Sequence, residues 1–218
     1  QHLSRRMAVV VFLAFALAYF FSALLRAITA TLSPVLTQEL GLQARDLGLL
    51  AGGYFLGFSL TQLPLGRWLD RHGPRRVILL FLSVAVLGCG VFALANSFQG
   101  LLLARVLAGV GVSACLMAPL TGYRRWFTPD TQLRANSWML MTGSLGMLAA
   151  TLPVQWLMPL WGWRNLFWGL ALCVALAMLG IRLLVPAWTS AQPHAAVQDG
   201  DGYAAIWRRR YFWRMVPI

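Results

Sequence analysis

Polar and apolar positions along this chain do not alternate at the period of a strand or of a half-buried surface helix. They segregate into long apolar blocks separated by short polar breaks. A bilayer core needs about 20 mostly apolar residues per helix. Six stretches qualify: Met7–Leu36, interrupted by Arg26; Leu47–Leu65; Val77–Ala95; Leu101–Tyr123, containing Arg105; Ala135–Trp156; and Asn165–Val185, with Arg182 near its end. The pattern predicts an all-α polytopic membrane protein, with a six-transmembrane-helix bundle over residues 1–186. Arg5 and Arg6 before the first run imitate a signal peptide. However, Met7–Leu25 exceeds the usual apolar region of about 7–15 residues, and five further spans follow. The first span reads as a retained helix.

Composition agrees with this reading. Charged residues make up 11% of the chain and hydrophobic ones 59%, whereas a soluble domain carries roughly 25% charged residues. Such a chain cannot cover a water-facing surface, which excludes a soluble fold. The net charge of +12 would suggest nucleic acid in a soluble protein. Here the arginines sit at the ends of apolar spans, and no nucleic-acid partner is expected.

Their distribution instead sets orientation. Arg5 and Arg6 precede span one; Arg67, Arg71, Arg75 and Arg76 lie between spans two and three; Arg124, Arg125 and Arg134 lie between four and five; Arg182 and Arg208–Arg210 follow six. The alternate loops hold only Arg45 and Arg164. The positive-inside rule places the basic side, with the N-terminus, in the cytoplasm. Residues 187–202 read as a polar cytoplasmic linker. Residues 203–218, with Trp207, Tyr211, Phe212 and Trp213 among arginines, read as an interfacial amphipathic segment and the start of a seventh span. Cys89, Cys115 and Cys173 lie inside apolar runs as small hydrophobes. No metal or cofactor site is expected.

Between spans two and three stands Gly66-Arg67-Trp68-Leu69-Asp70-Arg71-His72-Gly73-Pro74-Arg75-Arg76. Gly66 allows another helix to approach closely. Asp70 can accept hydrogen bonds at a neighbouring helix N-terminus, and the arginines can pair with it and with lipid phosphates. This loop resembles the G-x-x-x-D-R-x-G-R-R-R signature of the major facilitator superfamily, matching at Gly66, Asp70, Arg71, Gly73, Arg75 and Arg76, with Pro74 in place of an Arg. In span four, Arg105-Val106-Leu107-Ala108-Gly109-Val110-Gly111 is similar to the family's R-x-x-x-G-x-G pattern. Span five has Gly143, Gly146 and Pro153 but lacks the G-P-x-x-G-G run of drug–proton antiporters.

The resemblance implies the N-terminal half of that fold, two inverted three-helix repeats, with spans one and four lining a solute cavity. It implies secondary, non-ATP transport of a small solute by alternating access, in the lipid bilayer of a bacterial inner membrane. The partner is a C-terminal six-helix half or a second copy of this half. The Gly66–Arg76 loop would act as a conformational latch between halves. Small residues spaced four apart in span two, Gly48/Gly52 and Gly53/Gly57, suit close helix packing.

Two charges remain inside the membrane. A buried Arg costs about 2.5–3.5 kcal/mol even on the lenient insertion scale, so something must offset it. Arg26 lies about 15 Å from the outer end of span one, by the helical rise, and Arg105 about 6 Å into span four. Arg105 is shallow enough to snorkel outward or to bind backbone carbonyls. A guanidinium fork suits a carboxylate or phosphate, and the two arginines are similar to those of the family's organic-anion carriers. Those carriers also place carboxylates in the membrane, whereas here Glu39, Asp46, Asp70, Asp130, Asp199 and Asp201 all fall outside the spans. The expected solute is a small organic anion held by Arg26, assisted by Arg105, with Tyr54 and Thr29 as hydroxyl partners; Tyr19 and Gln62 are further polar candidates. The alternatives are efflux of hydrophobic or cationic compounds, or a non-transporting scaffold or sensor. No His, carboxylate or nucleophile pair occupies a span, so an enzyme is not expected.

Overall fold

A computed structural model describes residues 3–187. They form seven helices: α1 (Arg5–Leu40), α2 (Ala44–His72), α3 (Pro74–Leu94), α4 (Phe98–Val112), α5 (Ala114–Trp126), α6 (Pro129–Ala149) and α7 (Leu152–Leu184). No strand occurs among the described residues. Helices α4 and α5 break only at Ser113, whose amide bonds Val110, and together make span four. The six expected spans are therefore present. Four stretches (α1, α3, Phe98–Trp126 and α7) are long and apolar enough to cross a membrane by composition alone. Helices α2 and α6 carry more glycine and hydroxyl side chains. The amphipathic segment 203–218 and all of the linker beyond Ala187 lie outside the described residues.

Contacts follow an exchange between the two halves of the bundle. Span one (α1) packs on α6 and α7, while span four packs on α2 and α3. The first helix of each triplet thus lies against the second and third helices of the other, as two interlocked three-helix repeats require. Close approach between α4 and its neighbours depends on glycine. A Cβ on Gly57 would sit 2.3 Å from the Val106 carbonyl oxygen, and one on Gly109 would sit 2.0 Å from that of Tyr54. Gly53 and Gly57 therefore serve the predicted packing role. Gly48 and Gly52 do not: nothing lies within 4 Å of either, because they face away from α4.

Two boundaries differ from the sequence expectation. Span five ends at Ala149 rather than Trp156, because Thr151 leaves helical geometry (φ −98°, ψ −103°) and Pro153 opens the next helix. The Thr31 hydroxyl donates to the Ala150 carbonyl at 2.7 Å, tying this break to α1. The segment from Leu152 then turns at Gly162, whose φ of 71° favours glycine, before span six proper.

Both ends of the bundle are cross-tied. At the basic end, the Leu3 amide donates to the Trp126 carbonyl at 3.0 Å, and Arg75 donates to the Arg182 carbonyl at 2.5 Å. The starts of α1 and α3 and the ends of α5 and α7 therefore share one face. At the opposite end, Glu39 accepts from Trp163 Nε1 at 2.7 Å and from Arg164 at 3.2 Å, and Arg164 donates to Asn96 at 3.1 Å. The charge asymmetry read from the loops is thus an asymmetry of the folded bundle.

Candidate functional site

Helix α1 supplies a polar stripe. Ser22, Arg26 and Thr29 are spaced four and three residues apart, so they share one helical face. Since α1 continues unbroken to Leu40, Arg26 lies 14 residues from its outer end, about 21 Å by the helical rise. That exceeds the 15 Å expected from Leu36 because the helix continues past its apolar run to Leu40.

Arg105 is only 1% exposed. It does not snorkel. Its Nη1 donates to the Leu25 carbonyl at 2.8 Å, and its guanidinium carbon lies 4.6 Å from the centroid of the Tyr54 ring. Helix α4 can bring it there because Gly109 admits the Tyr54 backbone. Arg105 thus clamps α1 to α4, the carbonyl-binding alternative of the sequence reading. Arg26, the next residue along α1 after Leu25, is half-buried, with its guanidinium carbon 5.6 Å from the centroid of the Phe58 ring.

The two arginines border one cavity of about 410 Å³. Its wall includes Thr29, Thr31, Ser33 and Thr151, with Phe55 on the open side, 53% exposed. No carboxylate lines it among the described residues. Four buried polar atoms here have no hydrogen-bond partner among the described residues: Arg26 Nε, Arg105 Nε, Tyr54 Oη and Thr29 Oγ1. Tyr54 Oη lies within electrostatic reach of both guanidinium groups but outside hydrogen-bond geometry. Each unmet buried group costs about 1–3 kcal/mol.

Of the four residues singled out for solute binding, Arg26, Arg105 and Thr29 line the cavity, while Tyr54 is fully buried against Arg105 and does not. Tyr19 does not join them: its ring packs on Gly143, whose added Cβ would meet it at 2.6 Å. Gln62 lines a separate cleft at the basic end. The sequence reading missed Ser22, Phe55, Phe58 and the Thr31, Ser33 and Thr151 hydroxyls. Helical spacing from Arg26 and Tyr54 could have found Ser22 and Phe58 but not Phe55, which directly follows Tyr54, and Ser33 continues the Ser22–Arg26–Thr29 stripe. Thr151 was hidden by the misplaced end of span five.

In the loop at the basic end, Gly73 alone joins α2 to α3, with φ 78° and its amide bonded to the Leu69 carbonyl at 2.9 Å. Pro74 starts α3, where its fixed φ and missing N–H suit the first helical turn. Gly66 has nothing within 4 Å, so the expected close helix contact is not made within this bundle. Asp70, Arg71 and Arg76 are exposed, and Asp70 makes no ion pair among the described residues. Arg75 is committed to the Arg182 carbonyl.

The sequence profile of the Major Facilitator Superfamily matches residues 15–218. The chain belongs to that superfamily. Among curated Major Facilitator relatives, it is 27% identical over 144 residues to a hexuronate transporter of Escherichia coli (strain K12). It is 31% identical over 164 residues to a chloramphenicol resistance protein of Streptomyces lividans. These matches cover 66% and 72% of this chain, which spans 33% and 40% of the two relatives' lengths. In fold it is similar to the crystal structure of a bacterial homologue of the human lysosomal transporter Spinster, inward-facing and unoccupied. The TM-score is 0.76 over 94% of this chain and 49% of that one, at 19% identity.

Proposed function

We propose that this bundle is the N-terminal half of a secondary transporter for a small organic anion, and that Arg26 is the anion's main ligand. The observation that carries this reading is the convergence of Arg26, Arg105, Thr29 and Tyr54, each with an unmet buried polar atom, beside a cavity without carboxylates. Two cations confronting no negative charge favour an anion. The guanidinium fork of Arg26 takes a carboxylate through parallel hydrogen bonds. Arg105, held by Leu25, lends charge without leaving its place, and the hydroxyls of Thr29, Thr31, Ser33 and Thr151 suit a hydroxylated body. The hexuronate transporter supports this solute class.

Alternating access follows from rocking this half against a second six-helix bundle, a C-terminal half or another copy. The Gly66, Asp70 and Arg71 surface, unused within this half, serves as the latch for that partner, with Gly73, Arg75 and Arg76 shaping its loop. The basic end faces the cytoplasm of a bacterial inner membrane under the positive-inside rule.

Uptake by the complete protein in proteoliposomes tests the proposal. Sugar acids are compared with the matching neutral sugars and with chloramphenicol. Saturable uptake of the acids, competed only by other carboxylates, is the expected result. The relative named for chloramphenicol resistance supports a second reading, efflux of hydrophobic compounds. Transport of chloramphenicol with no response to carboxylates establishes that reading and removes the anion.

A further inference from the structure

A second cleft, of about 420 Å³, lies at the basic end between the start of α1, the end of α5 and the start of α6. Arg5 and Arg134 stand on its rim, and no carboxylate lines it among the described residues; Asp130, although in the first turn of α6, does not. Thr128 stands at the N-cap of α6 yet makes no side-chain cap bond; its hydroxyl instead pairs with that of Thr131 at 2.9 Å. Pro129 has no N–H and the Gln132 amide bonds the Thr128 carbonyl, so of the first-turn amides only those of Asp130 and Thr131 are left for an anion. Below the rim the walls are apolar: Val9, Phe12 and Trp138. Val9 and Trp138 are 51% and 57% exposed.

We propose that this cleft binds an anionic phospholipid, its phosphate between Arg5, Arg134 and the α6 amides and the upper part of an acyl chain along Phe12 and Trp138. A free inorganic anion would use the rim but leave the apolar walls unmet. A zwitterionic lipid would use the walls but bring a choline or ethanolamine cation against two arginines. An anionic lipid satisfies both, since the cations stand near the starts of α1 and α6 and the apolar walls follow further along the same helices. Its headgroup would bridge α1, which carries Arg26, to α6, giving the surrounding membrane a hold on the helix that bears the solute site.

Native mass spectrometry of the complete protein, delipidated and then given equimolar phosphatidylglycerol and phosphatidylcholine, tests this. Preferential retention of phosphatidylglycerol is expected, falling by about tenfold or more in Arg5→Ala/Arg134→Ala, the worth of one charge-assisted contact. Arg124→Ala, at the same end but outside the cleft, should leave retention unchanged. If the double variant does not fold, Arg134→Gln alone provides the comparison. Undiminished preference in the cleft variants, or equal loss in Arg124→Ala, overturns the site. Displacement of the adduct by millimolar inorganic phosphate overturns the lipid as occupant.

Discussion

Substitution of Arg26 separates a solute ligand from a structural cation. The side chain is half-buried, with the Phe58 ring centroid at 5.6 Å and the Tyr54 hydroxyl within electrostatic reach. A cation–π contact of this kind contributes about 0.5–1 kcal/mol, so Arg26→Ala should leave thermal stability within about 1 kcal/mol of wild type. Its effect on an anion should be far larger. Each charge-assisted hydrogen bond is worth about 1.5–3 kcal/mol, and 1.4 kcal/mol is a factor of ten in affinity. Lysine keeps the charge but loses the fork, and with it one bond, so Arg26→Lys should weaken binding about 10- to 150-fold. Alanine loses both bonds, and water in the open cavity returns part of the loss; about a hundredfold or more is expected. Arg105→Ala is the contrast. It removes the 2.8 Å bond to Leu25, the contact with Tyr54 and a buried side chain at once. That should cost about 2–5 kcal/mol of stability before any transport is measured. Melting in detergent, followed by anion binding to the complete protein, reads both quantities. Unchanged anion affinity in Arg26→Ala, with melting intact, would refute the assignment of Arg26 as ligand. Loss of folding there would show that Arg26 is structural.

Further outcomes follow from packing and geometry. Gly109→Ala places a Cβ 2.0 Å from the Tyr54 carbonyl oxygen and should destabilise by about 1–3 kcal/mol or more. Gly48→Ala, with open space around it, should be neutral or gain up to about 1 kcal/mol of helix propensity; comparable melting losses in the two would contradict the assigned helix faces. Glu39→Gln can still accept from Trp163 and loses only the exposed pairing with Arg164, about 0.5–1 kcal/mol. Glu39→Ala leaves both donors without it, so its melting point should fall further than that of Glu39→Gln. Gly73→Val forces a β-branched residue to φ 78° and should cost about 1–3 kcal/mol; a melting point equal to wild type would show that the loop relaxes.

The span count and the charge asymmetry were legible in the sequence because they are one-dimensional quantities. A bilayer demands a minimum apolar length, and the cost of a buried guanidinium makes any exception conspicuous. Glycine alone did not reveal which pairs were contacts: Gly48/Gly52 and Gly53/Gly57 have the same spacing, and only the rotation of α2 against α4 distinguishes them. The end of span five was hidden for a related reason. The run from Ala135 stays free of charge past Thr151, and hydropathy does not record a backbone turn that Pro153 and the bond from Thr31 fix. For Arg105 the sequence left snorkelling and carbonyl binding both open, and packing chose the Leu25 carbonyl, 80 positions away in the chain. Apolar length determines that the chain enters a membrane; which polar atoms meet inside is decided by helix rotation and close approach, properties that exist only once the helices have packed.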